Sequence, residues 1–235
     1  MKKIIAVLIA VFFVSASLAS EPEKSPVQEE QFLSKGKKRI YYLFAPAGDN
    51  PLPLVIPLLS KGRDAKRAIE RWREIAAREK FVVASPQALA RSGWSGASEG
   101  PEFFRGLIES IKTKCAIDER RIYLFGHKES ATMAIALGMI ESEYYAAIVS
   151  YFGSLDTFSY HLIERARRKI PVGMLIGKDD PFFPLETIKA TRDALNARNF
   201  PVEIILIPGH DNDYNRGFDV VNRAAWDFLK AHGLP

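Results

Sequence analysis

Cysteine is nearly absent: Cys115 is the only one among 235 residues. No intramolecular disulfide can form and no cysteine metal cluster can assemble, which excludes disulfide-stapled and zinc-ribbon scaffolds. Cys115 itself reads as a small apolar filler at a buried helix end. Histidine is sparse as well, at four in the whole chain. Histidine and carboxylates gather at His210-Asp211-Asn212-Asp213, a weak ligand set for any ion. No metal and no cofactor is expected.

An excess of one charge is also missing. Lysine and arginine total 33 against 28 acidic residues, and setting aside Lys2 and Lys3 of the N-terminal segment leaves 31 against 28. The basic clusters Lys35-Gly36-Lys37-Lys38 and Arg165-Ala166-Arg167-Arg168-Lys169 are not interleaved with aromatics and read as solvated faces. Nucleic acid is not expected as a partner; loose attraction to an anionic envelope surface is what such charge offers.

A hydrophobic run of spanning length is lacking too. Met1-Lys2-Lys3 precedes an apolar run over 4–14, shorter than the roughly 20 residues of a spanning helix. Ser17-Leu18-Ala19 supplies the small residues of a cleavage site, so 1–19 is expected to be a signal peptide. No cysteine follows the run to carry a lipid. The protein is therefore expected to be exported, periplasmic or secreted, with no stable membrane insertion after cleavage. Residues 20–31 are polar, contain two prolines and read as a flexible lead-in to one domain over 32–235.

Within that domain short β-rich runs alternate with helical patterns. Strands are expected at 39–44, 54–59, 81–84, 121–125, 147–152, 172–176 and 202–207. Helices are expected at 64–79, 101–114, 129–141, 185–199 and 218–232. Most of the strand runs are continuously apolar, as strands covered by helices on both faces must be. The alternation predicts an α/β class with a doubly wound, mostly parallel sheet. Ligands in such sheets bind beyond the carboxyl ends of the strands.

After the run 121–125 comes Gly126-His127-Lys128-Glu129-Ser130-Ala131 and then a helical stretch. A sharp strand-to-helix turn opened by glycine is the setting of the G-x-S-x-G nucleophile elbow. Small residues flank that turn because strand and helix approach closely. Lys128 stands where the serine would.

From about Arg39 to the C-terminus the chain resembles the secreted esterases that include polyhydroxybutyrate depolymerases and feruloyl esterases. The stretches that carry the resemblance are Phe81-Val82-Val83-Ala84-Ser85-Pro86, Ile117-Asp118-Glu119-Arg120-Arg121-Ile122-Tyr123, Gly177-Lys178-Asp179-Asp180-Pro181-Phe182-Phe183-Pro184 and Pro208-Gly209-His210. The resemblance implies an α/β-hydrolase fold of esterase descent. In that fold the acid follows the second-last strand and the histidine the last. Asp180 and His210 take those places, with Asp179 as competitor for the acid. With Lys128 they form the candidate catalytic set, the lysine ammonium being expected near Asp180 or His210.

The oxyanion side departs from the family as well. Similar enzymes carry His-Gly after the second core strand, whereas this chain has Leu58-Leu59-Ser60-Lys61-Gly62. Ser60, Lys61 and the amide of Glu129 are the oxyanion-region candidates. Trp94, Ser154, Phe182 and Phe183 could line a ligand pocket; equally, Trp94 could cover the sheet edge, with Phe103 and Phe104 in the core. Ser130 is expected to cap or pack the first helical turn, and nothing marks Ser150 as activated. His127 is expected to pack in the turn, and His161 and His232 lie in polar helical surroundings.

Three functions follow: a protein without ordinary serine hydrolysis that binds a small ester or acyl ligand, a carboxylic-ester hydrolase with a displaced nucleophile, and a structural or partner-binding envelope protein. The sequence carries no mark of oligomeric state.

Overall fold

The runs that show no alternation become the middle of a sheet. The computed structural model describes residues 26–59, 64–90, 93–178 and 185–235. Its strands are β1 (Gln28–Ser34), β2 (Lys37–Phe44), β3 (Leu52–Leu58), β4 (Val82–Pro86), β5 (Ile117–His127), β6 (Ala147–Tyr151), β7 (Val172–Gly177) and β8 (Val202–Ile207). They lie side by side in the order β1-β2-β4-β3-β5-β6-β7-β8. The β1–β2 and β2–β4 pairs are antiparallel and all the others parallel. Strands β4, β6 and β7 are buried throughout, the condition that demands continuous apolar sequence. The expected doubly wound, mostly parallel α/β sheet is what forms.

The helices are α1 (Ala65–Glu79), α2 (Pro101–Lys112), α3 (Glu129–Ile140), α4 (His161–Arg165), α5 (Leu185–Asn196) and α6 (Tyr214–Leu229). Alternation along β5 sets the two faces. Tyr123, Phe125 and His127 point toward α1 and α6, where they meet Trp226, Trp72 and Tyr214. Gly126, on the opposite face, lies against Ala131 of α3. The core between sheet and helices is largely aromatic on the first face, with Phe81 stacked on Trp226 at 3.9 Å.

Several boundaries differ from the sequence expectation. Strand β1 begins at Gln28, inside the segment read as a flexible lead-in over 20–31. Its polar residues hid it: Phe32 alone of that strand's apolar side chains is buried, against Tyr41 and Phe103. Strand β5 starts at Ile117 because the charged stretch before Arg121 is its exposed end. Helix α6 starts at Tyr214, four residues ahead of the expected 218, with Asp213 capping it through a bond from the Asn215 amide at 3.0 Å. Gly217 departs from helical geometry there, which broke the pattern. Helix α4 and a 3-10 turn over Thr157–Ser159 were not expected. Helices α2 and α5 stop at Lys112 and Asn196, earlier than 114 and 199.

Candidate active site

The turn between β5 and α3 is built by exclusion of side chains. A Cβ on Gly126 would stand 2.4 Å from Ala131 Cα, and one on Gly153 would stand 2.2 Å from Ala131 Cβ. Only glycine allows the end of β5, the start of α3 and the chain after β6 to approach so closely. Lys128 sits at the tip with φ 56 and ψ −123, a region non-glycine residues enter at a cost of about 1–3 kcal/mol. Its peptide groups hold it there. The Lys128 amide donates to Tyr151 O at 2.9 Å, and its carbonyl accepts from the Ala131 amide at 2.8 Å. The side chain is half-buried and that of Glu129, the first residue of α3, is exposed. Among the described residues no hydrogen bond or ion pair holds the Lys128 ammonium.

The neighbouring side chain points to the other face. His127 is only 7% exposed, between the rings of Tyr151 and Tyr214. Burial lowers its pKa to about 4, with a smaller push from the Lys128 charge. Its Nε2 lies 3.3 Å from Asn212 O. A carbonyl only accepts, so the proton sits on Nε2 and the ring is neutral. Beside it Tyr151 Oη donates to Asp211 O at 2.7 Å. These two bonds tie the loop after β8 to the ends of β5 and β6.

That loop carries His210. Its carbonyl rides over the end of β7, where a Cβ on Gly177 would come within 2.2 Å of His210 O. Nδ1 lies 2.9 Å from Gly209 O, and Nε2 is buried without a partner among the described residues. The ring rests on Gly217, whose added Cβ would be 2.8 Å from Cδ2. In the neutral ring a donating Nδ1 leaves the lone pair on Nε2, the tautomer a proton acceptor needs. No hydrogen bond joins His210 to Lys128.

A second group of contacts gathers at the end of β3. Leu59 O accepts from Trp94 Nε1 at 3.1 Å and from Ser130 Oγ at 2.8 Å. Trp94 therefore does not cover the sheet edge but caps the carboxyl end of β3, an interior strand, half-buried and stacked at 6.3 Å on Phe104, which with Phe103 is core. Ser130 is fully buried and packs the first turn of α3, as expected. Ser150 is buried with Oγ donating to Gly153 O at 2.9 Å. Ser154 fastens two elements: its carbonyl accepts from Thr132 Oγ1 at 2.7 Å and its Oγ meets Thr187 Oγ1 at 3.3 Å.

A buried ion pair that sequence reasoning missed lies beneath the loop between β4 and α2. Arg39 Nη2 and Glu99 Oε1 are 2.5 Å apart, with side chains 4% and 1% exposed. Glu99 also accepts from the Leu89 and Ser95 amides at 3.1 and 3.0 Å, and Arg39 lies 4.3 Å over the Phe103 ring. The candidates Ser60, Lys61, Asp180, Phe182 and Phe183, and the competing Asp179, lie outside the described residues. Two cavities among the described residues, of about 650 Å³ beside Arg105, Tyr144 and Arg165 and about 250 Å³ beside Arg71 and Arg223, are lined by neither Lys128 nor His210.

Comparison with known proteins places the family and the fold. The profile of the Dienelactone hydrolase family matches residues 70–225. No curated protein matches the chain. Among solved structures, a thermostable esterase is 22% identical with a TM-score of 0.67, over 88% of this chain and 63% of that one. The chain therefore spans less than two thirds of that esterase's length. A protein described as a dienelactone hydrolase from Klebsiella pneumoniae subsp. pneumoniae MGH 78578 is 19% identical with a TM-score of 0.68, over 88% and 97% of the two chains. A ferulic acid esterase is 16% identical with a TM-score of 0.67, over 87% and 97%. At such identities the likeness shows the fold, and that fold is the α/β-hydrolase fold.

Proposed function

The chain belongs to the dienelactone hydrolase family, and from that premise we propose that it is an exported, esterase-like protein that binds an ester or acyl ligand without ordinary serine hydrolysis. The observation that carries this reading is Lys128 at the tip of the strained turn, φ 56 and ψ −123, where the family's elbow would present its nucleophile. An acyl group passed to a lysine amine would leave an amide, far harder to turn over than a serine ester. An ammonium at the N-terminus of α3 instead attracts the carboxylate or carbonyl end of a ligand.

The displaced-nucleophile reading finds no support in the nearby hydroxyls. Ser130 and Ser150 are buried and commit their protons to the Leu59 and Gly153 carbonyls. The bare Nε2 of His210 is the inherited base of a triad whose nucleophile has been exchanged. Descent among the secreted esterases rests on the four stretches quoted above, and export on the leader over 1–19. Asp180 is assigned the acid role and Ser60, Lys61 and the Glu129 amide the oxyanion role by chain order alone.

The test is hydrolysis of short-chain p-nitrophenyl esters by the wild type, Lys128→Ser and His210→Ala. Wild type should be silent and Lys128→Ser should rise by about tenfold or more over it, since a residual triad and oxyanion site already accelerate the reaction. Wild-type hydrolysis that disappears in His210→Ala would overturn the proposal.

A further inference from the structure

Lys128 marks one end of α3, and at the other end the surface opens into the cavity of about 650 Å³. That size falls within the roughly 300–1,000 Å³ of small-molecule sites. Helix α3 has 12 residues from Glu129 to Ile140, so at 1.5 Å per residue its length, about 18 Å, separates the two places. The cavity shares no residue with the candidate active site.

Hydrogen bonds fix its walls. The segment after α4 is pinned by Ser142, whose Oγ accepts from the Arg167 and Arg168 amides at 3.0 and 3.1 Å. Arg168 adds its guanidinium to the Ser142, Tyr145 and Ala146 carbonyls. From α2, Arg105 reaches Glu141 Oε2 through Nε at 2.9 Å and Nη2 at 2.5 Å. A site framed in this way is preorganised, which spares a ligand the cost of ordering it.

The lining has an apolar and a charged part. Ile140 is 50% exposed, and Leu162 and Tyr144 are half-buried. Of the charges, Glu141 holds Arg105 and Glu143 holds Arg167 at 3.1 Å. Arg165 is exposed and has no hydrogen bond or ion pair among the described residues. Its chain neighbour Glu164 pairs with Arg198 instead. Three arginines against two glutamates leave the lining one positive charge in excess. The Tyr144 hydroxyl has no partner among the described residues either. Tyr145, edge-on to Tyr144 at 5.5 Å, likewise buries its hydroxyl without one.

We propose that this cavity is a second binding site, which takes a small monocarboxylate with an apolar body. The carboxylate pairs with Arg165, whose planar fork matches two oxygens at once. The body of the ligand covers Ile140, Leu162 and Tyr144. Competing chemistries fit less well. A polyphosphate or nucleic acid would press several negative charges against Glu141 and Glu143. A neutral apolar molecule would leave Arg165 unused, and a cation would meet a lining already positive.

Octanoate is the probe, with octanol, octylammonium and inorganic phosphate as controls. Each is titrated calorimetrically into Lys128→Ala, so that the elbow ammonium takes no part. Octanoate should bind with a Kd below about 1 mM, and the controls about tenfold more weakly or worse. Arg165→Gln and Ile140→Glu, both at exposed positions, should each weaken octanoate by about tenfold or more. In amide-resolved NMR of the wild type, octanoate should shift residues 140–144 and 165–167. Absence of binding, octanol binding as tightly as octanoate, an affinity unmoved by Arg165→Gln, or shifts confined to the turn around Lys128 would each overturn the proposal. The reading of the elbow stands or falls separately, on the ester assay.

Discussion

His127 is a buried base that stays uncharged at neutral pH. Its pKa of about 4 in the folded protein compares with about 6.5 in an unfolded chain. As pH falls below about 6.5 the unfolded state takes the proton first, so stability present above that pH is lost progressively down to about 4. The whole effect is roughly 3 kcal/mol, of which about 2 kcal/mol is spent by pH 5. His127→Phe keeps a ring between Tyr151 and Tyr214 and removes the titration. Urea midpoints at pH 7.5 and 5 should therefore fall further apart in the wild type than in the variant. Parallel losses in both proteins would show that the histidine does not carry this dependence.

Between elements, the Arg39–Glu99 pair fixes the loop that joins β4 to α2. Glu99 gathers the Leu89 and Ser95 amides and the Arg39 guanidinium, so the loop closes around one carboxylate. Truncating one partner of a buried pair leaves the other charged and unpaired, at a cost of about 3–5 kcal/mol. Glu99→Ala is expected to lose that much in urea unfolding, with a smaller additional loss when Arg39→Ala is combined with it. Additive losses in the double mutant would mean the two residues act separately. None of this was legible in the sequence, because Arg39 and Glu99 stand 60 positions apart and each reads alone as surface charge. The same limit hid β1, whose pattern becomes meaningful only when β2 and α2 lie beside it. The inner strands were legible because burial on both faces leaves its mark on consecutive residues.

Across the molecule, protection should follow position in the sheet. Amides of β3, β6 and the inner part of β5 from Tyr123 to His127 lie between paired strands and are largely buried, so they exchange with solvent only through global unfolding. Those of Ile204 and Leu206 on β8 face away from β7 toward the open edge, and they should exchange about a hundredfold faster or more. Hydrogen exchange resolved by residue checks the gradient, and uniform protection across the sheet would contradict it. The site shows the same division between local and distant information. The places of Gly126 and Lys128 in a strand-to-helix turn and of His210 after the last strand were legible from chain order, because strand, turn and helix follow one another in sequence. The hold of His127 and Tyr151 on the loop of His210 was not, since it joins residues 60 and 85 positions apart.

The indole of Trp94, bonded to Leu59 O and half-open to solvent, also makes the protein its own optical instrument. Trp72 and Trp226, the other two tryptophans, are 0% and 4% exposed. A soluble quencher therefore dims chiefly one chromophore, and that chromophore leans on the strand end that leads into the candidate site. Its emission colour is a label-free dial for whatever settles there.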